Sequence, residues 1–292
     1  MATFDFEACK IVFYVLKFTL SMYNQVQITM PRLSLKPLDD RLAVGKTTLT
    51  SRELSKELGI SPAATSNLLT RWRRAGLVDR VARGRYAIRQ IGLLGTHASS
   101  EDVALAVAAF VEGQPHRIAY RSALDFHSLL IRPVRTVQVA SPRRFSATGI
   151  SGRPLQAIYE RAETVEVGTE PAGYGALVSN LERALLDAAA RPDLVGGYLQ
   201  LAESLAGSKP DPNRLLEIAH QLKASPSLRR LGSLADRLQL GQLSGKLEPL
   251  DPPRWDLDLE PGLEKPSGAY RDGKWRIRWP ATPEEAAEEI AQ

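Results

Sequence analysis

Between Thr50 and Gly76 the chain carries a fixed succession of helix starts and stops, and no other stretch limits its fold as tightly. Thr50-Ser51-Arg52-Glu53 has the form of a capping box, in which the threonine hydroxyl and the glutamate side chain each satisfy a backbone N–H that the first turn leaves unpaired. This predicts a helix from about Arg52 to Leu58, ended by Gly59. Ser61-Pro62 then restarts a helix, with serine as N-cap and proline at the first helical position, where its missing N–H costs nothing. The second helix runs to about Ala75 and stops at Gly76. Two short helices joined by a turn of roughly three residues have helix-turn-helix spacing.

Just before this stretch stands Gly45-Lys46-Thr47, the tail of a phosphate-binding loop. Such a loop needs a glycine five positions before Gly45, so that its backbone wraps round the phosphates. Asp40 stands there, and its carboxylate would face them. The helix of such a loop also starts at the Lys-Thr pair itself, whereas the start signal here is Thr50. The NTPase reading is rejected on both grounds.

At 100° per residue, Thr65, Leu68, Leu69, Trp72 and Ala75 share one side of the second helix, expected to pack on Leu54, Leu58 and Ile60. The opposite side carries Ala63, Ser66, Asn67, Thr70, Arg73 and Arg74. Small and amide-bearing residues suit base edges in a major groove, where asparagine pairs with adenine through two hydrogen bonds. Arginines at the far end, Arg71 included, suit flanking phosphates. "LVDRVARGRYAI" then sets Val78, Arg80 and Ala82 against Asp79, Val81 and Arg83, with Gly84 as a turn. That is a β-hairpin with Arg80, Arg83 and Arg85 near its tip, the wing of a winged helix, and a narrow minor groove attracts such arginines. The expected DNA-contact set is Ser61, Ala63, Ser66, Asn67, Thr70, Arg71, Arg73 and Arg74 on the helix, with Arg80, Arg83 and Arg85 on the wing.

Charge distribution agrees. Residues 51–90 hold nine arginines and lysines against three acids, a net of +6, while the whole chain is +5, so the remainder is about −1. At 43% apolar and 24% charged the composition is that of a globular protein rather than a disordered one. One cysteine, Cys9, excludes intrachain disulfides and cysteine-based zinc sites and suits a reducing cytoplasm. The apolar run "IVFYVLKFTL" is preceded by Asp5 and Glu7, interrupted by Lys17 and too short to span a bilayer, so neither a signal peptide nor a membrane anchor is expected. Residues 1–29 are expected to be a non-native or disordered extension, with natural translation starting at Met22 or Met30.

Residues 30–95 are thus read as the winged-helix domain and 96–292 as a larger mixed α/β domain, an α+β chain overall. In the second domain "SSEDVALAVAAFV" is a helix opened by Ser100, with Val103, Val107 and Phe110 as its apolar stripe. "RTVQVA" and "ETVEVG" read as alternating strands, and "PRRFSATGISGRP" between them as loop. "SNLERALLDAAA" reads as a helix with a Ser179/Glu182 capping box and a buried face of Leu181, Ala184, Leu185 and Ala188. Helices follow near Asn213–Leu222 and Leu228–Leu240, then a strand at "KWRIRWP" and an acidic helix at Glu284–Ile290.

No catalytic arrangement emerges. His97, His116, His127 and His220 share no metal-ligand spacing. Asp256, Asp258 and Glu260 alternate on one strand face, as metal ligands can, but without a histidine or glycine loop they read as a solvated edge strand. The expectation is no enzyme, no metal and no cofactor.

The chain resembles the AbiEi family, antitoxins of bacterial type IV toxin–antitoxin and abortive-infection systems. The similar segments are "SRELSKELGIS…LLTRWRRAGLVDRVARGRYAI", "AYRSALDFHSLL", "SNLERALLDAAARPDLVGGY" and "LRRLGSLADRL", in the family's order across residues 33 to 280. His127-Ser128-Leu129 stands where the family commonly has His-Gly-Leu. The resemblance implies a winged helix that binds inverted repeats in its own promoter, with Ser66, Asn67 and Thr70 reading bases, Arg71, Arg73 and Arg74 on phosphates and the wing arginines in the minor groove. It also implies a C-terminal domain that supports cooperative operator binding and opposes a co-encoded nucleotidyltransferase toxin, directly or through the toxin's target. The protein would then be cytoplasmic and nucleoid-associated on its operator. The alternatives are a ligand-responsive winged-helix regulator with an apolar pocket, and a nucleic-acid-processing enzyme, which the missing catalytic residues argue against.

Overall fold

Helix caps, turns and strand pairings fix the path of the chain in a computed structural model describing residues 35–88, 100–111, 113–132, 134–143, 149–150, 153–248, 253–282, 285 and 288. The expected extension at 1–29 lies outside these residues. The chain divides into two units, 1–46 and 47–292. Helix α1 (Lys36–Ala43) belongs to the first, with Pro37 in its opening turn.

The second unit begins with β1 (Thr48–Thr50), α2 (Ser51–Leu58), α3 (Pro62–Arg74), β2 (Val78–Ala82) and β3 (Arg85–Ile88). The three strands form an antiparallel sheet in the order β1-β3-β2. This is a winged helix-turn-helix, followed by a larger α/β region. A strand therefore occupies the place where a phosphate-binding loop would have started its helix. Strand β1 was not expected, because three residues are too few to show a period. Strict alternation also fails in β2: a bulge between Arg80 and Ala82 inserts Val81, so Val78 and Val81 are both buried.

Helix α4 (Ser100–Val111) leads into the larger region, with β4 (Arg117–Ile118), α5 (Tyr120–Phe126), β5 (Val137–Ser141), β6 (Gly149–Ile150), β7 (Arg153–Tyr159), α6 (Ala162–Val165), β8 (Thr169–Gly173) and β9 (Ala176–Ser179). Their six-stranded sheet runs β6-β7-β5-β4-β9-β8. β5 pairs with β7, and β4 with β9, in parallel; the other pairs are antiparallel. Helices α7 (Leu181–Ala190), α8 (Gly197–Ala206), α9 (Pro212–Leu222), α10 (Ser225–Arg237) and α11 (Gly241–Leu247) follow. A small sheet, β10 (Leu257–Asp258), β12 (Ile277–Arg278) and β11 (Arg271–Asp272) in that order, closes the described chain. One apolar core runs through this region, and Val81 and Ala87 of the wing belong to it. The wing hairpin is thus packed onto the larger region.

Three sequence expectations are corrected. "ETVEVG" is not a strand: Ala162–Val165 is a helical turn, and strand β8 starts only at Thr169. Val165 and Val167 alternate with polar residues over so short a span that one helical turn fits as well as a strand. The second strand is instead set by the two-residue turn Tyr174-Gly175, both at positive φ, which joins β8 to β9. Part of the "PRRFSATGISGRP" loop is strand, since Gly149 and Ile150 pair with Pro154 and Arg153. Helix α7 is capped one residue later than expected: Asn180 accepts from the Arg183 amide at 2.9 Å, while Ser179 ends β9. Glu182 accordingly sits one place early for a capping box and accepts from the Asp211 amide at 3.0 Å. Of the acidic helix only Glu285 and Glu288 lie inside the described residues; Thr282 and Glu285 exchange the two bonds of a capping box.

Candidate nucleic-acid interface

The interface is assembled from local bonds. The Glu53 amide donates to Thr50 Oγ1 at 3.1 Å and the Thr50 amide to Glu53 Oε2 at 3.0 Å, so the expected capping box is present. Gly59 at φ 61° ends α2 in the left-handed conformation that glycine adopts without strain. Ser55 Oγ donates to the Ile60 carbonyl at 2.7 Å, tying the end of α2 to the turn. Ser61 Oγ then accepts from the Ala64 amide at 3.2 Å and opens α3.

Thr65, Leu68, Leu69 and Trp72 are buried on the inner side of α3, against a turn and helix whose anchor is the fully buried Leu54. Ala75, the C-cap of α3, is exposed rather than buried with the inner side. Leu58 and Ile60 are half-buried. On the outer side Ser61, Ala63, Ser66, Asn67, Thr70, Arg71, Arg73 and Arg74 are all exposed. Thr70 Oγ1 donates to the Ser66 carbonyl at 2.9 Å and keeps its capacity to accept. The three arginines fall in the last turn of α3, where the helix dipole favours cations.

Arg83 and Gly84 form the two-residue turn of the wing, Gly84 at φ 74°. Arg80 and Arg83 are exposed. Arg85 is not: half-buried, it donates to the Phe110 carbonyl at the end of α4, and its guanidinium lies 5.9 Å from the centroid of the Phe110 ring. Ten of the eleven expected contact residues therefore share exposed surface of the winged helix, while Arg85 binds the wing to the larger region.

That larger region contains an arrangement sequence reasoning missed. Arg117 pairs with Glu160 and, at 2.8 Å, with Asp187; Arg183 pairs with Asp187 at 2.8 Å and Glu160 at 2.6 Å. Two guanidiniums and two carboxylates thus close a neutral ring. Arg117 Nε also donates to Ser179 Oγ at 2.9 Å, and Arg183 Nη1 to the Thr164 and Val167 carbonyls. Burial alone would raise the Asp187 pKa, but the guanidiniums of Arg117 and Arg183 outweigh it and hold the carboxyl below its ordinary value. The i,i+4 pair Arg183–Asp187 was the only local signal of the ring. A closed, satisfied network of this kind is structural.

Of the remaining titratable candidates, His97 lies outside the described residues. His116 Nδ1 lies 2.7 Å from the Gln114 carbonyl and Nε2 accepts from the Leu177 amide, while burial lowers its pKa, so the ring is neutral. His127 Nε2 lies 2.7 Å from the Ser179 carbonyl, and His220 is exposed on α9. Asp256 pairs with Arg271 and Arg276, Asp258 with Lys265 and Arg278, and Glu260 accepts from the Tyr198 amide at the start of α8. Among the described residues no group of three His, Cys, Asp or Glu is placed to hold a metal ion, and no helix is long and apolar enough to cross a membrane.

Comparison with known proteins adds two findings. Residues 38–89 match the family model described as "Transcriptional regulator, AbiEi antitoxin". The crystal structure of the RV2827C protein from Mycobacterium tuberculosis superposes with a TM-score of 0.61 at 15% identity, over 90% of this chain and 94% of that one. At that identity the likeness is one of fold. No curated protein matches the chain.

Proposed function

We propose, from the match of residues 38–89 to the family model of AbiEi antitoxin transcriptional regulators, that this protein is a cytoplasmic DNA-binding antitoxin of a type IV toxin–antitoxin system that represses its own operon. Helix α3 enters the major groove of inverted repeats in the promoter. Ser66, Asn67 and Thr70 read base edges; Arg71, Arg73 and Arg74 hold phosphates; Arg80 and Arg83 follow the minor groove. Arg85, engaged at Phe110, steadies the wing that carries them. The larger region counteracts a co-encoded nucleotidyltransferase toxin.

The observation that carries this reading is the division of α3: every residue that could read or grip DNA is exposed, and the reverse side is buried as far as Trp72. The test is a titration against the protein's own upstream DNA and a scrambled duplex at two salt concentrations, beside co-expression with the neighbouring nucleotidyltransferase gene. Tight, salt-sensitive binding to the upstream DNA and rescue of growth are expected. Equal affinity for both duplexes would reject the operator role, and a toxic neighbour left unopposed would reject the antitoxin role.

A further inference from the structure

A second cationic surface lies outside the winged helix. Residues 128–159 contain five arginines (Arg132, Arg135, Arg143, Arg144 and Arg153) and no aspartate, glutamate or lysine. Carboxylates are otherwise spread through the larger region and pair with its arginines, so a 32-residue stretch without one is a local charge excess rather than an average surface. The topology gathers part of it at one place. β5 and β7 run in parallel with Val137 opposite Leu155, so the loop leading into β5 and the start of β7 share one end of the sheet. Arg132 and Arg135 are exposed on that loop, and neither has an ion pair among the described residues. The loop stands clear of the body, as Ile131 beside them is 90% exposed. Arg153, Val134 and Thr136 line one small cleft there together with Asp125, whose carboxylate accepts from the Val134 amide at 3.4 Å.

This end of the sheet adjoins the wing. Strand β6 pairs with the first two residues of β7 and also packs against β2 of the winged helix. The cationic loop is therefore linked, through β7 and β6, to the strand of the wing that carries Arg80. Arginine's planar fork matches phosphate oxygens and stays charged at any relevant pH. A polyanion held by the wing and running on past the winged helix would meet exposed Arg132 and Arg135, whose charges outnumber the half-buried Asp125 carboxylate beside them.

We infer that Arg132 and Arg135 grip the phosphate backbone of duplex DNA flanking the site occupied by α3, so that the larger region extends the footprint. This rests on the DNA-binding reading above, and the experiment separates the two. The full chain and its Arg132→Ala/Arg135→Ala variant are titrated over a salt series against two duplexes. One carries only the winged-helix site; the other extends it by about 10 base pairs, one helical turn, on each side. Each phosphate contact contributes about 0.9 to the slope of log K against log salt. The variant is expected to lose roughly 2 from that slope on the long duplex, to match the wild type on the short one, and to unfold at the wild-type temperature, as both residues are exposed. Restoring the charges as Arg132→Lys/Arg135→Lys should recover the slope. An unchanged slope on the long duplex overturns the inference alone and leaves the DNA-binding reading in place. Wild-type protein that binds neither duplex overturns the DNA-binding reading and the inference with it.

Discussion

At the scale of single residues, the contact surface separates into groups that read and groups that hold, and the two fail differently. Asn67 is exposed on α3 and can offer a base both a donor and an acceptor. Asn67→Ala should cost about 1–3 kcal/mol of discrimination at one base pair, seen as weaker binding to the upstream DNA with scrambled DNA unaffected. Arg73→Ala/Arg74→Ala should weaken both duplexes and lower the salt slope by roughly 2. Wild-type affinity and slope in that double variant would mean that α3 is not the recognition helix. Ser128 illustrates another residue-scale effect. It stands where the resembling family commonly has glycine, and its φ is 58°, a conformation glycine adopts without strain and serine does not. Ser128→Gly should relieve that strain and, after the added entropy of the unfolded chain is subtracted, stabilise the protein by about 0.5–1 kcal/mol. Urea unfolding midpoints of the two proteins measure it, and a fall in midpoint would show that the serine hydroxyl contributes more than the backbone loses.

At the scale of elements, legibility followed the range of the bonds that decide each element. The capping box of α2, the Gly59 stop and the Ser61-Pro62 start are all closed within a few residues, and both helices lie where their sequences place them. Because the box closes within four residues, Thr50→Ala removes one of its two bonds and should cost about 1 kcal/mol, whereas Thr50→Ser keeps the hydroxyl and most of the stability; chemical denaturation of the three proteins is the check. Elements decided by distant partners were less legible. Residues Ala162–Val165 could be told from a strand only by knowing that β9 pairs with residues beginning at Thr169. Ser179 looked like a cap, but a tertiary bond to Arg117, 62 residues away, uses its hydroxyl. Arg85 looked like its wing neighbours, yet its partner Phe110 is 25 residues on. The candidate interface was therefore largely readable, since the turn and helix that build it are local, while the interior of the larger region was not.

At the scale of the whole molecule, the buried ion ring ties β4, the end of β7 and α7 together, and its pH dependence can be worked out from sign alone. Asp187 has its pKa held below the ordinary value by Arg117 and Arg183 against the opposing effect of burial. A depressed carboxyl contributes stability that is complete above its unfolded pKa, about 3.9, and is lost as pH falls through the folded value. His116 acts higher on the scale. Burial lowers its pKa, so the unfolded chain binds a proton that the folded one does not, and stability falls as pH drops below about 6.5. Acid should therefore weaken the fold in two stages, an early one from His116 and a late one from the ring. Replacing the imidazole by an amide that does not titrate, His116→Asn, should flatten the denaturation free energy between about pH 6.5 and 5, whatever it costs at neutral pH, and leave the late stage in place. Asp187→Asn should instead abolish the late stage and cost roughly 3–5 kcal/mol at neutral pH, because it strands two buried guanidiniums facing one remaining carboxylate. Denaturant titrations from pH 7 to 3 on the three proteins decide it. A wild-type curve whose early stage survives in His116→Asn would move that stage to another group, and an Asp187→Asn protein as stable as the wild type would mean that the ring does not hold the larger region together.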